Sequence, residues 1–247
     1  MMNIGIIGAG AIGGGLASKL VKLGHAVSIA NSRGPASLQQ LAATTGATAV
    51  TAEEATQNKQ VIIVAIPQKS IADLPKSLFR HLPEEVVVIE TGNYYPNLRD
   101  GVIPALEQSG IDSKWVQEQL GVPVVKVFNS IIAESLIEGG KPKGAKDRIA
   151  LAVSGDDPAA KEVVFKLVDE LGFDPFDVGT IARSWMQQPG SPVYCRDLGI
   201  GELKRRVDTM AAQAGMKEMV SAKRLTDEAL MKKDYPAYLK SLLDPVF

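Results

Sequence analysis

Six residues near the N-terminus, Gly8-Ala9-Gly10-Ala11-Ile12-Gly13, have the G-x-G-x-x-G spacing that a backbone needs in order to wrap a diphosphate. Gly8 permits a tight turn, Gly10 lets the chain approach a pyrophosphate, and Gly13 lets the following helix pack against the preceding strand. The unpaired N–H groups and the positive end of that helix attract phosphate oxygens. Such a pattern carries weight only between a strand and a helix. Here "NIGIIG" (Asn3–Gly8) reads as a buried strand, and "AIGGGLASKLVKLG" (Ala11–Gly24) as a helix ending at glycine.

A second group of residues, Asn31-Ser32-Arg33, follows the next strand, "AVSIA" (Ala26–Ala30). In a dinucleotide fold, an Asp or Glu at this place accepts hydrogen bonds from the ribose hydroxyls and repels a 2′-phosphate. Asn31 removes the repulsion, Ser32 adds a hydroxyl donor, and Arg33 offers a planar, permanently charged fork to phosphate oxygens. Pro35 begins a further helix whose N-terminus adds favourable potential. Together these residues predict NADP(H) rather than NAD(H).

Other chemistries are poorly provided for. Cys195 is the only cysteine and His25 and His81 are the only histidines, so neither a disulfide nor a zinc centre is expected. His25 sits in a helix-to-strand connection and His81 at a helix end, both read as structural; Cys195 has no sequence partner that would make it a nucleophile. No catalytic acid–base constellation is visible. The 27 basic and 28 acidic residues give a formal charge of −1, which suggests neither a nucleic-acid surface nor an acidic tail. With no signal-like leader and no apolar run of spanning length, the sequence predicts a soluble, cytoplasmic protein without a membrane partner.

The elements that must position these residues alternate in the manner of a parallel sheet covered on both faces. "VIIVAIP" (Val61–Pro67) is the strongest strand signal. "VVVIETGNYYP" (Val86–Pro96), "VVKVFNS" (Val124–Ser130) and "IALAVSG" (Ile149–Gly155) follow the same plan, with a weak strand at "ATAV". Thr51 and Glu54 have capping-box spacing, and Asp157-Pro158 opens a helix running to Gly172. Past Gly179 strand signals stop: Gln187–Asp197 reads as irregular, and helices broken at Gly215 and Pro236 run to Phe247. The apolar stripe Leu203, Val207, Met210 and Ala214 reads as core or as a homodimer interface. The expected fold is therefore α/β: a Rossmann-type, doubly wound, mostly parallel sheet over residues 1–179, with a smaller C-terminal helical region over 180–247.

The stretch "GAGAIGGGLASKLVKLGHAVSIANSR" resembles the start of the NADP oxidoreductases that depend on coenzyme F420, a deazaflavin. The resemblance continues through "VIIVAIP", "VVKVFNSI", "SGDDPAAKE" and "LGFDPFDVG", about three quarters of the chain. The same segments are similar to the cytosolic reductase domain of the six-transmembrane ferric reductases. The resemblance implies direct hydride transfer between NADPH and a deazaflavin or flavin ring (FMN or FAD), with no protein acid or base, because the cofactors hold the reactive atoms. It places Gly8, Ala9, Gly10, Ala11 and Ile12 at the pyrophosphate, and Ser32 and Arg33 at the 2′-phosphate. Ala65, Ile66 and Pro67 are expected beside the cofactor. Asn93, Asn129, Ser130 and Ile131 end strands at the sheet's carboxyl edge, where ligands of open α/β sheets sit, and are expected near the nicotinamide and its partner ring. Either asparagine also reads as a turn residue.

Where this chain has Pro35-Ala36-Ser37, some family members carry another basic residue, which weakens the 2′-phosphate preference without abolishing it. The tail from Trp185 onward is longer than in compact members, and is expected to shape the second-substrate pocket. Two other readings stand beside a flavin-like acceptor: NADPH-dependent reduction of a small carbonyl, an imine or a flavin-shuttled ferric chelate, and an NADPH-sensing module without turnover.

Overall fold

In the computed structural model, residues 1–242 are described; the end of the helical tail expected to reach Phe247 lies outside them. Within these residues eight strands form one sheet: β1 (Asn3–Ile7), β2 (Ala26–Ala30), β3 (Thr48–Ala49), β4 (Val61–Val64), β5 (Val87–Glu90), β6 (Val125–Lys126), β7 (Ala150–Ser154) and β8 (Asp174–Gly179). Among the described residues ten α-helices accompany them: α1 (Ala11–Lys22), α2 (Gln39–Thr45), α3 (Ala52–Thr56), α4 (Pro104–Ser109), α5 (Asp112–Leu120), α6 (Ala133–Glu138), α7 (Pro158–Glu170), α8 (Ile200–Ala212), α9 (Met216–Lys233) and α10 (Tyr235–Ser241).

Strand order is β3-β2-β1-β4-β5-β6-β7-β8. Every neighbouring pair is parallel except β6 and β7, which meet antiparallel at a single pair, Lys126 opposite Ser154. The sheet is thus doubly wound and mostly parallel, as expected, with its order reversing between β1 and β4. That reversal opens a crevice at the carboxyl ends of the strands, where loops diverge to opposite faces.

Side-chain alternation in the strands supplies both faces. Ile4, Ile6, Ile29, Val61, Ile63 and Val153 pack with Leu16 and Leu20 of α1 and Val164 and Leu167 of α7. Ile7, Ile62, Val64 and Val88 point the other way, onto Leu106 of α4 and Trp115 and Val116 of α5. Strands buried on both faces must read as continuous apolar runs, which is why "VIIV" was legible.

Local signals place the element ends. The Thr51–Glu54 capping box forms, with Thr51 N donating to Glu54 and Glu54 N donating to Thr51 Oγ1. Asp157 caps α7 by accepting from Ala159 N at 2.8 Å. The helical stretch at Pro35 opens as a four-residue 3₁₀ turn, Pro35–Leu38, and α-geometry begins only at Gln39. Its dipole is correspondingly short, so Ser32 and Arg33 receive less help from it than the sequence suggested.

Of the two readings of the apolar stripe on α8, core and homodimer interface, the structure gives core. Leu203, Val207 and Met210 of α8 are buried against Ala150, Ala152 and Val178 of β7 and β8, while Ala214 lies beyond the helix and is exposed. The stripe is core of the chain itself, so it is no free face for a second copy. Helix α9 is anchored by Arg224 of its buried face, which pairs with buried Asp112 at 3.0 and 3.1 Å. Glu228 beside it accepts from Asn97 N and Leu98 N at 2.7 and 2.9 Å, and burial raises its pKa. No helix among the described residues is long and apolar enough to cross a membrane.

Candidate functional site

At the crevice, Gly8 has φ +116°, and a β-carbon there would meet Ala65 O at 2.2 Å. A β-carbon on Gly13 would meet Gly8 O at 2.0 Å. These two glycines are therefore required by the approach of α1 to the strands. Gly10 is different: a β-carbon there would meet nothing within 4 Å. The space beside it is open, and it lies at the N-cap of α1, where no side chain caps the helix and no acidic residue occupies the first turn. Free N–H groups, positive potential and open space are what a pyrophosphate needs.

The open space belongs to a cleft of about 680 Å³. Gly8, Ala9 and Gly10 form its floor, Asn31, Ser32 and Arg33 one wall, and Ala65, Ile66, Pro67 and Leu74 part of the other. Nine of the sequence-predicted residues are thus brought together on one concavity. Ser32 and Arg33 are exposed, and Arg33 forms no ion pair among the described residues. Asn31 shapes the wall: its Oδ1 accepts from Arg33 N at 3.0 Å, and its amide is hydrogen-bonded to the Ser37 hydroxyl at 2.9 Å. Volume, charge and donors together suit the phosphorylated adenosine half of a dinucleotide. The remaining predicted pyrophosphate residues, Ala11 and Ile12, form the first turn of α1.

The other predicted residues gather further along the carboxyl edge, in a tightly bonded cluster. Asn93 Nδ2 donates to Asn129 O at 3.1 Å, and Asn129 Nδ2 donates back to Asn93 Oδ1 at 3.1 Å. Asn129 is buried and its Nδ2 also donates to Gln187 O at 2.6 Å. Ser130 and Ile131 are buried as well; Ser130 O accepts from Cys195 N at 2.9 Å, and the Ile131 side chain joins the core. Phe128, just before Asn129, has φ +63° and is buried. A left-handed phenylalanine costs of order 1–3 kcal/mol and persists only where its surroundings enforce it.

Beneath this cluster lie charges that the sequence reading passed over. Lys126 Nζ donates to Glu90 Oε2 at 2.6 Å and also to Gly92 O, with both side chains 1% exposed. Ser113 Oγ donates to the same carboxylate at 2.8 Å, and Gly92 N donates to its other oxygen. The pair thus pins the loop that leads to Asn93. A signal was present, since Glu90 and Lys126 are charges within otherwise apolar strands, where an ion must be paired to be buried.

Aromatic hydroxyls line the neighbouring loop. Those of Tyr95 and Tyr194 are hydrogen-bonded to each other, and burial pushes both well above the usual tyrosine pKa. Arg99 lies 5.3 Å over the Tyr95 ring, pairs with Asp100 at 2.9 Å and donates to Asn93 O. Burial raises the Cys195 thiol to about 12, which removes it as a nucleophile at neutral pH. His25 accepts from Met2 N at 3.2 Å and bonds Glu170 at 3.1 Å, a structural role as expected. Among the described residues no group of His, Cys, Asp and Glu is arranged to hold a metal ion.

Residues 3–94 match the family described as NADP oxidoreductase, coenzyme F420-dependent. Hypothetical protein SMa0349 from Sinorhizobium meliloti is 33% identical, and its structure superimposes over 80% of this chain and 95% of that one with a TM-score of 0.67. The chain belongs to the coenzyme F420-dependent NADP oxidoreductase family. The family is one of NADP oxidoreductases. A proposed F420-dependent NADP reductase from Arthrobacter sp. FB24 is 25% identical, with a TM-score of 0.60 over 73% of this chain and 86% of that one. The protein YjhV of Escherichia coli (strain K12) is 54% identical over 56 residues, which are 23% of this chain and 41% of that protein. This chain therefore matches less than half the length of YjhV.

Proposed function

We propose that this family member binds NADP(H) across the carboxyl edge of the sheet and exchanges a hydride directly with a flat, flavin-like acceptor, coenzyme F420 or a flavin. The 2′-phosphate sits between Ser32 and Arg33, the pyrophosphate over Gly8–Ile12, and the adenosine against Ile66 and Pro67. The nicotinamide reaches the Asn93–Asn129 cluster, and residues from Thr180 onward shape the acceptor's side of the pocket. One observation carries this reading: the glycine turn and Asn31-Ser32-Arg33 line a single cleft, with Arg33 in no ion pair among the described residues and no carboxylate at the end of β2.

The nicotinamide supplies the hydride chemistry when bound, so the chain's own residues need only orient and dehydrate. That agrees with the edge cluster. Its tyrosine hydroxyls and its thiol are all raised in pKa by burial, and none is poised to take a proton near neutral pH.

Binding and turnover test the reading separately. Replacing Ser32 and Arg33 together by alanine removes charge-assisted bonds, and is expected to weaken NADPH binding about 10- to 100-fold while leaving NADH unchanged. Equal affinity of the wild-type protein for NADPH and NADH would rule out the 2′-phosphate clamp. Turnover is measured as NADPH oxidation with coenzyme F420, FMN, FAD and ferric chelates supplied in turn. Oxidation with a small imine or carbonyl and with none of these acceptors would transfer the hydride's destination to that class.

A further inference from the structure

The antiparallel seam between β6 and β7 is joined by only one bridged residue pair, so backbone carbonyls on either side of it lack ladder partners. Gln187, from the 3₁₀ segment Ile181–Gln187, fills that gap. Its side chain is 0% exposed. Its Nε2 donates to Ala152 O at 2.9 Å on β7 and approaches Lys126 O at 3.4 Å on β6. Its Oε1 accepts from Ser154 Oγ at 2.7 Å. The same Nε2 donates to Asn129 Oδ1 at 3.0 Å, and Gln187 O accepts from Asn129 Nδ2.

Asn129 is thereby committed: both of its amide hydrogens are used, on Asn93 and on Gln187. Asn93 is not. One of its amide hydrogens goes to Asn129 O and one lone pair receives Asn129 Nδ2, which leaves one donor and one acceptor without a partner among the described residues. Asn93 is also only half-buried, whereas Asn129 and Gln187 are enclosed.

We infer that Gln187 is a positioning residue for the nicotinamide end: it fixes Asn129, and through Asn129 it holds Asn93 with a free amide donor and acceptor. That pair matches the acceptor and donor of a carboxamide such as nicotinamide carries. This rests on the reading that the nicotinamide reaches Asn93. It assigns to the C-terminal segment, which the sequence shows only as an irregular stretch, a role in setting the ring's orientation.

The test compares binding of NADPH with binding of 2′-phospho-ADP-ribose, which keeps the adenosine half and lacks nicotinamide. Calorimetry on wild type, Gln187→Met, Asn93→Ala and the double variant gives the ratio of the two affinities. Gln187→Met is expected to weaken NADPH about tenfold, the scale of a lost buried hydrogen bond, and to leave the fragment within about twofold. The double variant is expected to lose no more than the worse single one, because both act through one path. Equal losses for NADPH and fragment, or no loss for either, overturn the inference. If Gln187→Met does not fold, Ser154→Ala, which removes only the bond into Gln187 Oε1, must show the same selectivity at smaller size; an unselective effect there also overturns it. Wild-type protein that binds neither ligand sinks the dinucleotide reading as well. Normal wild-type binding with unchanged variants sinks the role of Gln187 alone.

Discussion

The two ends of the carboxyl edge are built in opposite ways. At the end near β2, the functional groups are exposed: Ser32 and Arg33 face solvent, and Gly10 opens onto empty cleft. Near β5, β6 and β7 they are enclosed: Asn129, Gln187, Glu90 and Lys126 are each at most 1% exposed and bonded to one another. The first region leaves the Ser32 hydroxyl and the Arg33 guanidinium without protein partners among the described residues. The second has spent most of its donors on itself. An anionic phosphate can be captured by exposed charges at little structural cost, because charge attraction tolerates loose geometry. Orienting a planar ring for hydride transfer tolerates far less, and misplacement by about 1 Å can cost 100-fold in rate. The edge therefore divides into an attractive half and a rigid half.

The most damaging way to probe that division is to open the rigid half from below. Lys126→Met leaves Glu90 buried without its cation, and breaking one side of such a pair costs about 3–5 kcal/mol. The expected outcome is a large fall in the midpoint of denaturant unfolding. Arg33→Ala, at the attractive end, should leave that midpoint within about 0.5 kcal/mol of wild type, as exposed substitutions do. Comparable losses in the two variants would erase the distinction drawn between the ends.

The same division explains what could be read from the chain. The attractive half is local: Gly8–Gly13 and Asn31–Arg33 each act as contiguous segments, and the helix and strand around them follow from short-range pattern. The sheet was legible for a related reason, since β4 is buried on both faces and apolar throughout, and β1 and β5 are apolar but for Asn3 and Glu90. The rigid half depends on residues far apart in sequence. Asn93 and Asn129 follow the parallel neighbours β5 and β6 and so meet at the carboxyl edge, but Gln187 joins them across the antiparallel seam of β6 and β7, a reversal that no local motif announces. Gln187 lies in a segment whose composition says only that it is irregular. Glu90 and Lys126 gave a partial signal, as charges inside apolar strands, yet their partnership needs the register of β5 against β6, which places Glu90 beside Lys126. The stripe on α8 was read correctly as apolar, but its partners on β7 and β8 decide that it is core.

A second probe stays within the glycine turn and separates folding from binding. Gly13→Ala drives a methyl into Gly8 O, and overpacking of this kind costs about 1–3 kcal/mol. Gly10→Ala meets nothing, so thermal stability should hold or rise slightly. On the proposed binding mode its methyl would instead stand in the path of the pyrophosphate, and NADPH affinity should fall about tenfold or more, by calorimetric titration. If Gly10→Ala bound NADPH as wild type does, the phosphates would have to lie elsewhere in the cleft.

The smallest expected effect comes from the bonds that shape the attractive half. Ser37 donates to Gly34 O at 2.8 Å and shares hydrogen bonds with the Asn31 side chain at 2.9 and 3.1 Å. All of these are exposed, so water replaces much of what Ser37→Ala removes, and the loss of stability should stay within about 0.5 kcal/mol. The loop still has the Asn31 Oδ1 bond to Arg33 N, and Arg33 keeps its charge. NADPH affinity should therefore fall by less than about threefold, with its salt dependence intact, since screening acts on the charge and not on the loop's hydrogen bonds. A loss of tenfold or more would mean that Asn31-Ser32-Arg33 must be held in one geometry before the phosphate arrives. The attractive half would then be as preorganised as the Asn93–Asn129–Gln187 cluster, differing from it only in its exposure to water.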